Sequence, residues 1–136
     1  MEYLLDTSIV RPLFEADGRV VGRLALMRED DRIYTSVITE GELLFGVARL
    51  VGRRKQMLLE QITRFLEGLN GVVPVTRAVA VACGEMRREL EVLGRPIPVN
   101  DLWIAAIASS GDLTLVAHDK DFGRVERLRL EDWVEP

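Results

Sequence analysis

Short apolar runs alternate with longer stretches of helical periodicity along the whole chain, and that alternation permits few folds. Tyr3-Leu4-Leu5 ends at Asp6-Thr7-Ser8, and Ile33-Tyr34-Thr35 ends at Ser36 to Thr39. Val72-Val73-Pro74-Val75 follows Asn70-Gly71, and Thr114-Leu115-Val116-Ala117 ends at His118-Asp119. Each run has strand length and is bounded by turn or helix-start residues. A last strand is expected through Leu128-Arg129-Leu130, with Trp133 covering the end. Strands separated by helices pair as parallel neighbours through crossover connections, which place helices on both faces of the sheet. The expected class is α/β, with a mostly parallel central sheet of four to five short strands and about six helices.

The helices follow from spacing. Ile9, Val10, Leu13 and Phe14 follow the Asp6-Thr7-Ser8 start, and a second helix runs from about Gly18 to Arg28. Leu43, Leu44, Val47, Leu50 and Val51 share one face of a third, which Gly52 breaks. A partner helix from Arg54 to Leu69 completes a helical hairpin. Val79, Cys83, Met86, Leu90 and Leu93 recur at i, i+4, i+7, i+11 and i+14, ending at Gly94 before Pro96. Residues 98–109 are apolar nearly all round, as in a buried helix. Pro74 removes a ladder donor and makes the third strand irregular in a central position.

At 136 residues the chain fits a single domain, 1–136, with 48% hydrophobic and 29% charged residues and no low-complexity segment. Its longest apolar runs, such as Leu102 to Ala108, fall far short of the roughly twenty residues of a membrane span. The start Met-Glu-Tyr-Leu-Leu-Asp lacks a secretory signal, and Cys83 has no partner for an internal disulfide, so the cytoplasm is expected. Cys83 itself reads as a small buried hydrophobe among Val79, Met86 and Leu90.

Four carboxylates stand out at the ends of these elements. Asp101 sits at the mouth of Leu102-Trp103-Ile104-Ala105-Ala106-Ile107-Ala108, where a charge costs free energy unless something binds it. Asp6 follows the first strand, Asp119 follows the strand at 114–117, and Glu42 lies in the first turn of the third helix. Taken singly, each has a structural reading. Asp6 and Asp101 serve as helix caps, Thr39-x-x-Glu42 matches a capping box, and Asp119 with Asp121 flanks Lys120 in a solvated turn. Taken together they point to one site, because ligands of open α/β sheets gather outside the carboxyl ends of the strands.

Oxygen-only donors without cysteine or histidine companions suit Mg²⁺ or Mn²⁺ rather than zinc. His118 is the only histidine, and no Ser-His-Asp or Cys-His triad can be assembled around it. With no side-chain nucleophile in view, metal-assisted hydrolysis of phosphodiesters by an activated water is the chemistry best served. Thr7 and Ser8 offer hydroxyls that orient ligands or water, or else cap the first helix.

The net charge of −4 argues against a nucleic-acid partner at first sight. Setting those four of the 22 acids aside, however, leaves the remainder balanced against 18 Lys and Arg. Arg53, Arg54 and Lys55 bunch with Arg49 at one junction, a solvated helix face or a phosphate-binding patch.

Leu5-Asp6-Thr7-Ser8, the segment Ser36 to Gly46, Asn100 to Ala106 and His118-Asp119-Lys120-Asp121-Phe122 resemble, in order and spacing, the motifs of PIN-domain ribonucleases. More narrowly the chain resembles the VapC-type toxins of toxin–antitoxin pairs. The resemblance implies that Asp6, Glu42, Asp101 and Asp119 bind Mg²⁺ or Mn²⁺ and that RNA is cut by metal-activated water. It also implies a homodimer and a cognate VapB-type antitoxin whose tail lies in a groove near the acids. Asp121 competes with Asp119 as the fourth acid, and Glu40 with Glu42, although glycine at Gly46 selects Glu42. Two rival classes are conceivable. A receiver-type phosphoacceptor domain fails because it needs an acid pair after the first strand, where only Asp6 stands. A catalytically inactive PIN-like module that binds RNA or protein remains the alternative.

Overall fold

Tyr3, Leu4 and Leu5 are almost wholly buried, as the middle strand of a sheet covered on both faces requires. The computed structural model describes residues 1–135. In chain order it contains β1 (Glu2–Leu5), α1 (Thr7–Phe14), α2 (Gly18–Ala25), β2 (Arg32–Ser36), α3 (Val37–Ala48) and α4 (Gly52–Glu67). These are followed by β3 (Gly71–Val73), α5 (Arg77–Val92), α6 (Val99–Ser110), β4 (Thr114–Val116), a 3-10 turn at Lys120–Arg124 and β5 (Leu130–Glu131). The strands form one sheet in the order β3-β2-β1-β4-β5, every pairing parallel.

Alternation along the strands assigns the two cores. Leu4 pairs with Leu115 and both point to the face covered by α5 and α6, where Cys83, Met86, Leu90, Ile104, Ile107 and Phe122 are buried. Tyr3, Leu5 and Val116 point to the other face and pack with Ile9, Val20, Trp133 and Val134. Trp133 meets Tyr3 edge to face at 5.4 Å, so it closes the sheet's end as its position suggests. Among the described residues no helix is long and apolar enough to cross a membrane.

Several boundaries differ from the sequence expectation, each for a physical reason. β2 runs on to Ser36, whose hydroxyl accepts the Thr39 N–H at 3.1 Å and starts α3 there. Glu42 therefore lies in the second turn rather than the first, and no Thr39–Glu42 capping box forms. α3 stops at Ala48, leaving Leu50 and Val51 in the connection, and α4 begins at Gly52, whose φ of +65° glycine tolerates. α2 ends at Ala25. β3 is an edge strand that ends before Pro74, which removes the conflict between proline and a central ladder. β5 is assigned at Leu130–Glu131, although the carbonyl of Arg129 already accepts from Leu115 at 2.8 Å.

α5 is the most legible helix, with Val79, Cys83, Met86 and Leu90 all buried. Thr76 caps it by accepting the Val79 N–H at 3.3 Å. Thr76→Ala should cost about 1 kcal/mol, lowering Tm by about 3 °C for a domain of this size. Thr76→Asn should retain most of that stability. Differential scanning calorimetry checks both.

Candidate metal centre

The ends of β1 and β4 are tied together by backbone, with the Asp6 N–H donating to the Val116 carbonyl at 2.9 Å. The strand order changes direction here, since the chain leaves β1 for β2 and β3 before returning to β4 on the other side. That crevice is where open parallel sheets bind ligands. α3 follows β2 and α6 precedes β4, so both helices begin on this same edge.

Asp6 is 3% exposed. Its Oδ2 accepts two hydrogen bonds from Ser8, from the backbone N–H at 3.1 Å and from the hydroxyl at 2.6 Å. Its Oδ1 is buried without a hydrogen-bond partner among the described residues. An orphaned, buried carboxylate oxygen is costly and demands a proton or a cation. Burial raises the Asp6 pKa, Ser8 and the Thr7 backbone counter it, and the charge of Asp119 raises it further.

Asp101, Asp119 and Asp121 each offer a carboxylate oxygen, all within 4.8 Å of one another. Asp101 stands in the first turn of α6. It makes no capping hydrogen bond there, so the capping reading fails for it. Asp119 leaves the end of β4 and accepts the Asp121 N–H at 2.9 Å, a bond that caps the 3-10 turn and folds Asp121 back beside it. The Asp101 carboxyl is pushed up to about 7, first by burial and then by the charges of Asp6, Asp119, Glu42 and Asp121.

Asp6 and Glu42 lie outside that close triple, but their charges act on Asp101, and the charge of Asp6 acts on it more strongly than the other three. Glu42 accepts a hydrogen bond from the Thr7 hydroxyl at 3.1 Å. The Thr7 hydroxyl is also 3.2 Å from that of Thr39, which is 3.4 Å from that of Ser36. Burial raises the Glu42 pKa, Thr7 opposes this and Asp6 adds to it. Glu40 occupies the first turn of α3 and makes no side-chain hydrogen bond among the described residues. The four acids singled out in the sequence thus act electrostatically on one another near one sheet edge, and Asp121 lies beside Asp119.

The remaining candidates lie apart from the cluster. The His118 ring is turned onto Asp132, with Nδ1 2.8 Å from its carboxylate, and that hydrogen bond raises the imidazole pKa. What His118 gives the site is its backbone N–H, which donates to the Ser8 hydroxyl at 2.9 Å. Arg53, Arg54 and Lys55 are exposed in the first turn of α4 and form no ion pair among the described residues. They stand beyond the far end of α3, whose 12 residues rise about 18 Å, so they are not part of the acidic cluster. Three features have no counterpart in the sequence reading: the Ser36–Thr39–Thr7 hydroxyl chain, the Ser8–His118 bond and the approach of Arg124 to Asp121 at 3.4 Å. Only the first leaves a signal, in the clustering of Ser and Thr after two strands.

The donor set is oxygen only, its negative charges act together on Asp101, and it includes an unpartnered oxygen of Asp6, which fits a hard divalent cation. The family model described as PIN domain matches residues 3–128. Ribonuclease VapC1 of Haemophilus influenzae is 31% identical over 137 residues, covering 99% of this chain and all of the relative. Among solved structures, VapBC-1 from nontypeable Haemophilus influenzae superposes with a TM-score of 0.90 at 31% identity, covering 99% of this chain and 100% of the other. VapBC-5 of Mycobacterium tuberculosis, a member of the VapBC family of toxin-antitoxin systems, gives 0.72 at 29% identity, with 96% of each chain covered. By fold, by the order of its acids and by similarity along nearly its full length, this chain belongs to the PIN domain family, among its VapC-type members.

Proposed function

We propose that the protein is a Mg²⁺- or Mn²⁺-dependent endoribonuclease that hydrolyses RNA phosphodiesters as the toxin of a cytoplasmic toxin–antitoxin pair. One arrangement carries the reading: Asp101, Asp119 and Asp121 offer carboxylate oxygens within 4.8 Å of one another, and Asp6, whose charge acts on Asp101, keeps a buried oxygen that no group among the described residues satisfies. Asp6 through Oδ1, Asp101 and Asp119 would hold the cation, with Asp121 and Glu42 completing the acidic shell. Bound there, a divalent cation supplies Lewis acidity that activates water and offsets the charge growing on phosphoryl oxygens. Ser8 keeps Asp6 in place by occupying its other oxygen. Thr7 fixes Glu42 by Oε1 and leaves Oε2 free to hold a proton or a water.

The RNA would approach over the exposed basic end of α4. Arg53, Arg54 and Lys55 stand too far from the acids for the scissile phosphate and suit its neighbours along the strand. Neutralising all three should weaken RNA binding and flatten its dependence on salt by about 0.7 in log–log slope for each phosphate no longer paired with a cation. Fluorescence anisotropy across a salt series measures this, and an unchanged slope would assign the patch to solvent. The partner is a VapB-type antitoxin, a reading supported by the VapBC structures that this chain resembles. Its docking surface is the hairpin of α3 and α4, which exposes Phe45 and Met57. The expected assembly unit is a homodimer.

Cleavage of single-stranded or structured RNA by the purified protein tests the activity. Products should appear with Mg²⁺ or Mn²⁺ and vanish with chelator. RNA binding without metal-dependent products would favour a catalytically inactive PIN-like binding module.

A further inference from the structure

Ser8 is joined to a residue 110 positions away: its hydroxyl accepts the His118 N–H at 2.9 Å and donates to Asp6 Oδ2 at 2.6 Å. We infer that Ser8 is a positioning residue that fastens the turn bearing Asp119 and Asp121 to Asp6 and dictates which Asp6 oxygen is left for a cation. The inference rests on the proposed metal-dependent reading and deepens it.

A serine hydroxyl has one proton to give and lone pairs to receive. An ionised carboxylate and a backbone N–H each allow only one polarity, so the order His118 N–H to Ser8 hydroxyl to Asp6 is fixed. With Oδ2 taken twice over by Ser8, through the hydroxyl and the backbone N–H, Oδ1 is the oxygen of Asp6 left without a partner among the described residues. His118 immediately precedes Asp119, so the bond pins the chain at the point where the second acidic segment leaves β4. Groups behind metal ligands that orient them in this way change metal affinity by about 10- to 100-fold when removed.

The cap on α1 can be separated from this bridge. Asp6 caps the helix through the Ser8 backbone N–H, which every substitution at position 8 except proline retains. Ser8→Ala therefore deletes only the two hydroxyl bonds, and Ser8→Thr restores a hydroxyl. Should Ser8→Ala fail to fold, Ser8→Cys replaces the hydroxyl with a weak donor of similar size.

The experiment uses the full chain and Mn²⁺ alone, with free ion followed by electron paramagnetic resonance and His118 amide exchange followed by NMR in chelator. Ser8→Ala should bind Mn²⁺ about tenfold or more weakly and exchange the His118 amide faster, while Ser8→Thr recovers both. Unchanged Mn²⁺ affinity in Ser8→Ala, with the parent protein binding normally, would overturn the inference and leave the metal-site reading standing. An unprotected His118 amide in the parent protein would also overturn it. No Mn²⁺ binding by the parent, with His118 exchange still quickened by Ser8→Ala, would instead reject the metal reading and support the bridge as a structural fastening.

Discussion

Asp6→Asn and Asp101→Asn should each lower RNA cleavage by about a thousandfold or more while leaving the fold intact. A Lewis acid at a transferring phosphoryl group contributes several kcal/mol of charge stabilisation, and about 4 kcal/mol corresponds to three decades in rate. Both substitutions preserve side-chain volume. Asp6→Asn keeps an oxygen able to accept from Ser8, so the α1 cap survives, but the group no longer carries the negative charge a divalent ion needs. Asp101→Asn removes the acid on which the other four charges converge. Single-turnover kinetics with near-ultraviolet circular dichroism separates impaired chemistry from impaired structure. Substantial cleavage by both variants would remove the acids from the chemistry.

The same substitutions should stabilise the protein when no cation is present. In the folded chain the Asp101 carboxyl titrates at about 7, whereas the unfolded carboxyl titrates near its ordinary 3.8. A raised folded pKa means that the native state holds the proton more tightly. The stabilisation is therefore fully present below about pH 4 and is lost as pH rises towards and through 7. Asp6 and Glu42 are shifted in the same direction, chiefly by burial. In chelator, Tm should accordingly fall between pH 5 and pH 8.

Asp101 is partly open to solvent, so screening reduces the effect to the order of 1 kcal/mol, or about 3 °C. Asp101→Asn should raise Tm at pH 8 by a similar amount and flatten the profile. Mn²⁺ should reverse the order, because a ligand that binds only the native state stabilises it by mass action. A pH-independent Tm for the parent protein in chelator would contradict this.

Much of the fold is legible in the sequence because its elements obey local rules. β1 is a continuous apolar run because it lies in the middle of a parallel sheet, and α5 shows a clean helical period because only one stripe of it is buried. α6 reads as apolar all round because Leu102 and the run from Ile104 to Ala108 are buried together. The start of α3 is ambiguous in sequence because Ser36 and Thr39 are both competent caps, and only pairing in the sheet, which carries β2 to Ser36, selects the first. Leu43, Leu44, Val47, Leu50 and Val51 look like one stripe in the sequence, yet Val47 is buried while Leu44 and Val51 are exposed. Composition cannot distinguish a core face from a docking face.

The candidate site is legible as a set of acids at element ends, since the switch between β1 and β4 gathers such positions from distant parts of the chain. What escapes the sequence is the scaffold behind them. The Ser8–His118 bond joins residues 110 positions apart. It has no local pattern, because it exists only once the sheet is assembled.

Anomalous diffraction from crystals soaked in Mn²⁺ tests most directly whether these acids share one cation. The expected result is a peak within coordination distance of Asp6 Oδ1, flanked by carboxylate oxygens of Asp101 and Asp119. Full-occupancy Mn²⁺ elsewhere, with Asp6 Oδ1 still unpartnered or occupied only by water, would contradict a shared site.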